Sequence, residues 1–194
     1  MRDRRAERFE ATQQEILDVA WGLVRADGLA GLSMRELGAR VGLRAQSLYV
    51  YFPSKHAIYD AMFRAANEEL LLRMQAVSAM DGSPDDRFRR RTRAFIDFAT
   101  ADPARAQLLF VRSLPGFEPT PEAYAPAVQV LDLARDALGA MGVTDDELVD
   151  IWTATVSGLI QQQLANDPGG DRWVRLLDDV IEMYLAFARS RTKQ

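Results

Sequence analysis

RAQSLYVYFPSK, residues 44–55, decides the fold. Taken alone, Leu48-Tyr49-Val50-Tyr51-Phe52 reads as a β-strand, because aromatic and β-branched residues run together and a proline closes them. A strand needs a partner to satisfy its backbone N–H and C=O groups. The rest of the chain offers no strand pair and no two-residue hairpin turn. Read instead as a helix, at about 100° per residue, the segment is amphipathic. Ala45, Leu48, Phe52 and the rim residue Tyr49 share one side, and Gln46, Ser47, Val50 and Tyr51 share the other, with Arg44 at its edge.

Helix signals surround this segment. Thr12-Gln13-Gln14-Glu15 has the spacing of a capping box, in which a hydroxyl and a carboxylate satisfy free N–H groups of the first turn. Ile16, Ala20, Leu23 and Val24 then fall on one helical face, and Gly28 is placed to stop that helix near residue 27. Ser33-Met34-Arg35-Glu36 is a second box, opening a short helix with Leu37 and Val41 inward and Gly42 at its end. Leu48 and Phe52 can pack on Leu37 and Val41, Pro53 closes the segment, and Ser54 can cap a long helix reaching roughly Arg73.

Further along, Ser83-Pro84, Asp102-Pro103 and Thr120-Pro121 each place a capping side chain before a proline at the first helical position. Thr144-Asp145-Asp146-Glu147 is a third box. Residues 113–119 form the clearest loop. The reading is all-α, about nine helices: an N-terminal helix-turn-helix domain over residues 1–56 and a C-terminal helical domain over 57–194, with the helix from 54 as connector.

Bulk properties set limits. The 194 residues are 48% hydrophobic and 27% charged, ordinary for a soluble globular protein. No apolar run approaches the roughly 18 residues of a membrane span. The charged start, MRDRRAER, leads into no apolar segment, so no secretory signal is expected. Cysteine is absent, which excludes disulfides and thiolate metal sites and fits a reducing cytoplasm. Net charge is −4, yet residues 1–56 hold nine Arg/Lys against seven Asp/Glu, while the remainder holds fifteen against twenty-one. Only the N-terminal quarter leans toward a polyanion.

Two short helices joined by a Gly turn, behind a longer supporting helix, make a helix-turn-helix. Such a unit lays its second helix in the DNA major groove. Gln46 and Ser47 can reach base edges. Tyr49 and Tyr51 offer hydroxyls to phosphate and rings to thymine methyls or sugars. Lys55, one of two lysines, stands where a phosphate would run, with Arg35 and Ser33 at the start of the preceding helix. The competing reading is a packed three-helix subdomain with no DNA to touch.

Leu32-Ser33-Met34-Arg35-Glu36-Leu37, Val41-Gly42-Leu43 and Ser47-Leu48-Tyr49-Val50-Tyr51-Phe52-Pro53-Ser54-Lys55 resemble the signature of tetracycline-repressor (TetR) family transcriptional regulators. The resemblance is strong over residues 12–60. It implies a homodimer that binds double-stranded, palindromic operator DNA and represses until a small effector enters the C-terminal domain. It implies DNA contacts at Ser33, Arg35, Arg44, Gln46, Ser47, Tyr49, Tyr51 and Lys55. Ala45 stands where many relatives carry a polar residue, which leaves more of the recognition to phosphates and DNA shape. The basic leader (Arg2, Arg4, Arg5, Arg8) is either a further DNA-contacting arm or a disordered tail.

The C-terminal half resembles relatives loosely. Trp152-Thr153-Ala154-Thr155-Val156-Ser157-Gly158-Leu159 is similar to a helix of one subgroup in which Trp, His and Gly recur, with Ser157 in place of the His. Ile151, Thr155 and Leu159 on one helix, and Leu177, Ile181 and Leu185 on the next, are expected to form a four-helix dimer seam. Wholly intramolecular packing is the alternative. Phe88, Phe95, Phe98, Phe110, Phe117, Tyr124 and Trp152 are candidates for an apolar effector pocket, or ordinary core. The arginine run from Arg87 to Arg93 reads as a solvated face paired with nearby acids. No cofactor or metal is called for. His56 is the single histidine, and no HExxH, Walker loop or strand-borne GxGxxG accompanies it, so an enzyme is not expected. A helical adaptor that has lost DNA binding is the remaining alternative.

Overall fold

The computed structural model describes residues 4–111 and 114–192. Among these the protein is all-helical: α1 (Arg4–Gly31), α2 (Met34–Arg40), α3 (Ala45–Tyr51), α4 (Lys55–Ser78), α5 (Pro84–Ala101), α6 (Pro103–Phe110), α7 (Pro121–Gly139), α8 (Asp146–Asn166) and α9 (Leu177–Thr192), with a 3₁₀ turn at Val174–Leu176. The chain forms two compact units. One comprises residues 1–66 and 104–124, the other 67–103 and 125–194. The first unit therefore extends beyond the helix-turn-helix segment 1–56, taking in the start of α4, nearly all of α6 and the loop that follows.

In the first unit, Ile16, Leu17, Ala20, Leu23 and Val24 line the buried side of α1. Gly28 has φ +76°, a left-handed geometry that breaks the helix there and turns Leu29 and Leu32 into the core. Gly42, at φ +71°, makes the α2–α3 turn, and the Leu43 N–H closes it on the Gly38 carbonyl at 2.8 Å. At seven residues, α2 and α3 are too short to persist alone. Leu37 and Leu48 are fully buried and Phe52 nearly so, in one core with Ile58, Tyr59, Met62 and Phe63 of α4. Each such side chain contributes about 1.5–3 kcal/mol, which exceeds the modest strand propensity of 48–52. The Tyr59 hydroxyl donates to the Leu29 carbonyl and so satisfies a group at the end of α1.

The capping signals are realised unevenly. Ser83 and Asp86 form a reciprocal capping box on α5. Ser54 Oγ accepts from the Ala57 N–H at 3.0 Å, and Thr120 Oγ1 from the Ala123 N–H at 3.2 Å. Thr12 caps nothing: α1 begins at Arg4, and the Thr12 hydroxyl instead donates to the Arg8 carbonyl at 3.0 Å. Ser33 precedes α2 without a side-chain cap, and the Glu36 carboxylate, the other half of the expected box, pairs with Arg40 at 2.9 Å instead. On α8 the cap is Asp145, accepting from the Glu147 N–H at 3.0 Å, rather than Thr144.

In the second unit, Trp152 lies between Phe88 and Tyr184, with ring centroids 4.9 and 4.7 Å away. The Tyr184 hydroxyl donates to the Leu148 carbonyl at 2.8 Å. The buried Gln163 closes the α8–α9 connection by accepting from the Trp173 N–H at 2.9 Å and donating to the Asp167 carbonyl. The arginine run on α5 is paired with acids only in part: Arg89 with Asp85 and Glu182, Arg93 with Asp178, whereas the half-buried Arg90 donates to the Asp81 carbonyl at 2.8 Å. Arg91 donates to Ser78 Oγ and to the Leu133 carbonyl.

Burial raises the phenol pKa of Tyr59 to about 12 and, with the nearby Asp145 charge, that of Tyr184 also to about 12. Between the ordinary phenol value near 10 and about 12, the unfolded chain holds fewer protons than the folded one, so stability falls as pH rises through that window. Chemical denaturation above about pH 10 should show this decline, and Tyr59→Phe or Tyr184→Phe should each flatten it. Tyr59→Phe should also lower stability at neutral pH by roughly 1 kcal/mol, because Leu29 loses its donor.

Candidate nucleic-acid interface

The interface is built on α3. Its buried residue Leu48 and the following Phe52 fix the rotation of the helix, so the opposite face is set by the core. Arg44, Gln46, Ser47, Tyr49 and Val50 are exposed on that face. Val50 is 71% exposed and Tyr49 50% exposed. An apolar side chain so open on a polar face suits a thymine methyl. Periodicity already placed Val50 outward, although the expected DNA contacts did not include it. The Arg44 carbonyl accepts from the Ser47 and Leu48 N–H groups, while its guanidinium makes no ion pair with any described residue. The side chain of Ala45 lies outside the described set.

Ser33 and Arg35 stand exposed at the start of α2. The missing side-chain cap leaves the Ser33 hydroxyl available. Lys55 begins α4, and its Nζ donates to the Ala30 carbonyl at 3.1 Å while lying 5.5 Å from the centre of the Tyr59 ring. One of its three N–H groups therefore closes the end of α1, and the others are left for a phosphate.

Tyr51 differs most from its expected role. Its ring is half-buried and stacks on Phe9 of α1, with centroids 4.8 Å apart, and its backbone carbonyl accepts from Gln13 Nε2 at 3.2 Å. Its ring holds α1 and α3 together. The basic leader from Arg4 onward is the start of a helix rather than a disordered tail; Arg2 lies outside the described residues.

The expected effector residues divide between the units. Phe110, Phe117 and Tyr124 line a cavity of about 170 Å³ in the first unit, together with Phe63, Leu108, Leu109, Val111, Leu114, Glu118 and Pro119. Tyr124 stacks on Phe63, and Phe117 packs edge-on against Tyr59 with centroids 5.7 Å apart. Asp60 holds the adjoining loop by accepting from the Thr120 N–H and hydroxyl at 2.7 and 2.9 Å. Phe88, Phe98 and Trp152 are instead buried core of the second unit, where Phe95 is half-buried.

The expected dimer seam also needs correction. Leu159, Leu177, Ile181 and Leu185 are all at most 8% exposed within the single chain. They fill its own core and present nothing to a second copy. Ile151 stays exposed and Thr155 half-exposed on α8, and Met183 and Phe187 are exposed on α9. Gly158 meets no close neighbour within the chain: a Cβ added there would find nothing within 4 Å. Among the described residues no helix is long and apolar enough to cross a membrane.

Residues 16–62, which carry this α1–α2–α3 geometry into α4, match the family model described as bacterial regulatory proteins, tetR family. Over these residues the chain resembles the tetR family. The nucleoid occlusion factor SlmA of Actinobacillus pleuropneumoniae serotype 5b (strain L20) is 26% identical over 98 residues, 50% of this chain and 48% of SlmA. The chain thus spans about half the length of the curated relatives it matches. The transcriptional regulator FadR from Bacillus subtilis, solved in complex with stearoyl-CoA, superposes with a TM-score of 0.74 at 15% identity, covering 89% of this chain and 97% of FadR. AibR, solved with isovaleryl coenzyme A and operator DNA, gives 0.67 at 17% identity, covering 89% and 97%. At these identities the structures share the fold with this chain.

With α3 in a DNA groove, the exposed polar side chains are expected to divide into base readers and phosphate clamps. Gln46→Ala and Ser47→Ala should each relax preference at particular base pairs by roughly 1–3 kcal/mol. Arg35→Ala and Arg44→Ala should weaken all sequences alike and lower the salt slope by about one unit each. Lys55→Ala should do the same and also lower the thermal midpoint, since Ala30 loses its donor. Duplex titrations at several salt concentrations, with thermal melts, check all five variants.

Proposed function

We propose that the protein is a transcriptional repressor that binds a palindromic operator as a homodimer and is released by a small apolar or amphipathic effector. The observation that carries this reading is the outward face of α3. Arg44, Gln46, Ser47, Tyr49 and Val50 are exposed together on a helix whose other side is fully committed to the core. The tetR-family match over the same residues supports DNA as the partner. AibR, named with operator DNA, supports a regulatory role for the shared fold.

The effector is assigned to the cavity below residues 114–120. Its volume, about 170 Å³, is close to that of an engineered apolar cavity of about 150 Å³ that binds benzene. FadR and AibR are named with acyl-CoA ligands; here aromatic and aliphatic side chains stand beside Glu118, which suits a small apolar or amphipathic body. A ligand displacing Phe117 would act on Tyr59, whose hydroxyl holds Leu29 at the end of α1. Such a ligand changes DNA affinity only through a difference in its own affinity for the two conformers.

The homodimer is assigned to Ile151, Thr155 and Gly158 of α8 and Met183 and Phe187 of α9. These apolar or small residues are left uncovered by the single chain.

Selection of bound duplexes from a random DNA pool tests the reading. An enriched inverted repeat is expected; no enrichment at any salt concentration contradicts it. For the dimer, Met183→Glu should give a monomer by sedimentation with wild-type helicity, because one substitution is met twice across a two-fold axis. A wild type that sediments as a monomer at micromolar concentration would sink the dimer.

A further inference from the structure

α1 extends three turns beyond the first buried residue of its core face, Ile16, and the first two of those turns, residues 4–10, carry a segregated charge pattern. At about 100° per residue, Arg4, Arg5 and Arg8 fall on one flank and Glu7 and Glu10 on the other. Phe9 and Gln13 run between them. This central seam is what attaches the extension: Phe9 stacks on Tyr51 and Gln13 donates to the Tyr51 carbonyl, both at the last residue of α3. Arg4 and Arg8 are exposed and make no ion pair with any described residue. Three arginines in the opening turns also oppose the helix dipole, so folding alone disfavours them there. A stacked aromatic pair contributes about 0.5–1.5 kcal/mol beyond its buried area, enough to hold an otherwise fraying extension beside α3.

We propose that the opening turns of α1 are a second, helix-borne phosphate-binding element, held against the recognition helix by the Phe9–Tyr51 stack. Its ligand is the backbone of the same DNA duplex whose groove α3 enters, so the inference rests on the DNA-binding reading above. Arg4 and Arg8 bind phosphate without reading sequence. Phe9 is a positioning residue: it touches no DNA and acts by keeping the arginine flank in register with α3. Tyr51 belongs to the interface through this stack.

The test needs no operator, because phosphate contacts are independent of sequence. The full-length protein is titrated against a mixed-sequence DNA duplex across a salt series. Each phosphate contact contributes about 0.9 to the slope of log affinity against log salt, equivalent to roughly eightfold in affinity at 0.1 M salt. Per bound chain, Arg4→Ala/Arg8→Ala should therefore reduce the slope by about two units. Phe9→Ala should move the slope toward the same value, and Phe9→Trp should restore it. Adding Phe9→Ala to the double arginine variant should change the slope no further. Exposed Arg4 and Arg8 can be removed without touching the core, so the arginine variant decides even where Phe9→Ala lowers the thermal midpoint. A double arginine variant with the wild-type slope overturns the proposal while leaving the DNA-binding reading intact. Phe9→Ala with the wild-type slope overturns the positioning role. A wild type with no salt-sensitive DNA affinity overturns the reading beneath and the proposal with it.

Discussion

The burial of Leu48 and Phe52 against α1, α2 and α4 is the constraint on which the rest depends. It turns a stretch that reads locally as a strand into a seven-residue helix, and it fixes which residues face away. Without it, Arg44, Gln46, Ser47, Tyr49 and Val50 would share no face and nothing could enter a groove as a unit. Leu37 and Gly42 are the counterpart in α2 and its turn: one fills the core, and the other takes the left-handed φ that lets α3 follow at once.

The end of α1 is the second point at which functions meet. Gly28 breaks the helix, and the carbonyls that follow are not left to solvent. Leu29 is held by Tyr59, and Ala30 by Lys55. Phe117 packs on Tyr59 from the loop bordering the cavity, and Asp60 ties that loop to α4 through Thr120. In the proposed reading, occupancy of the cavity and placement of the helix-turn-helix thus share one phenol ring. The same ring and the Lys55 ammonium make the α1 terminus a structural element as well as a neighbour of the DNA surface.

Much of this was legible in the sequence, and the limits have physical reasons. The all-helical fold, the Gly28 and Gly42 breaks and the outward placing of Gln46, Ser47 and Val50 were legible, but periodicity set the two tyrosines the wrong way round: Tyr49 is exposed, and Tyr51 is half-buried against Phe9. Spacing alone misread Thr12, Ser33 and Thr144, because a hydroxyl three residues before a carboxylate does not say whether a helix already runs through it or the carboxylate prefers an arginine. The apolar stripe Leu177–Ile181–Leu185 was real, but a stripe cannot say whether its cover is the same chain or another; burial within one chain answers that, and leaves Met183 and Phe187 as the exposed apolar side chains of α9. The division of the phenylalanines between a cavity and two cores depends on contacts distant in sequence, such as Phe63 with Tyr124 and Phe88 with Trp152. So does the Phe9–Tyr51 stack, which no local pattern announces.

The central claim is that residues 45–51 are a helix with its inner side buried and its outer side on DNA. Backbone NMR of the free protein, followed through a titration with a DNA duplex, tests both halves at once. The account predicts helical carbon shifts from Ala45 to Tyr51, with the largest DNA-induced changes at Arg44, Gln46, Ser47, Tyr49 and Val50 and small ones at Leu48. Extended-strand shifts over residues 48–52, or DNA-induced changes that leave residues 44–50 unmoved, would contradict it.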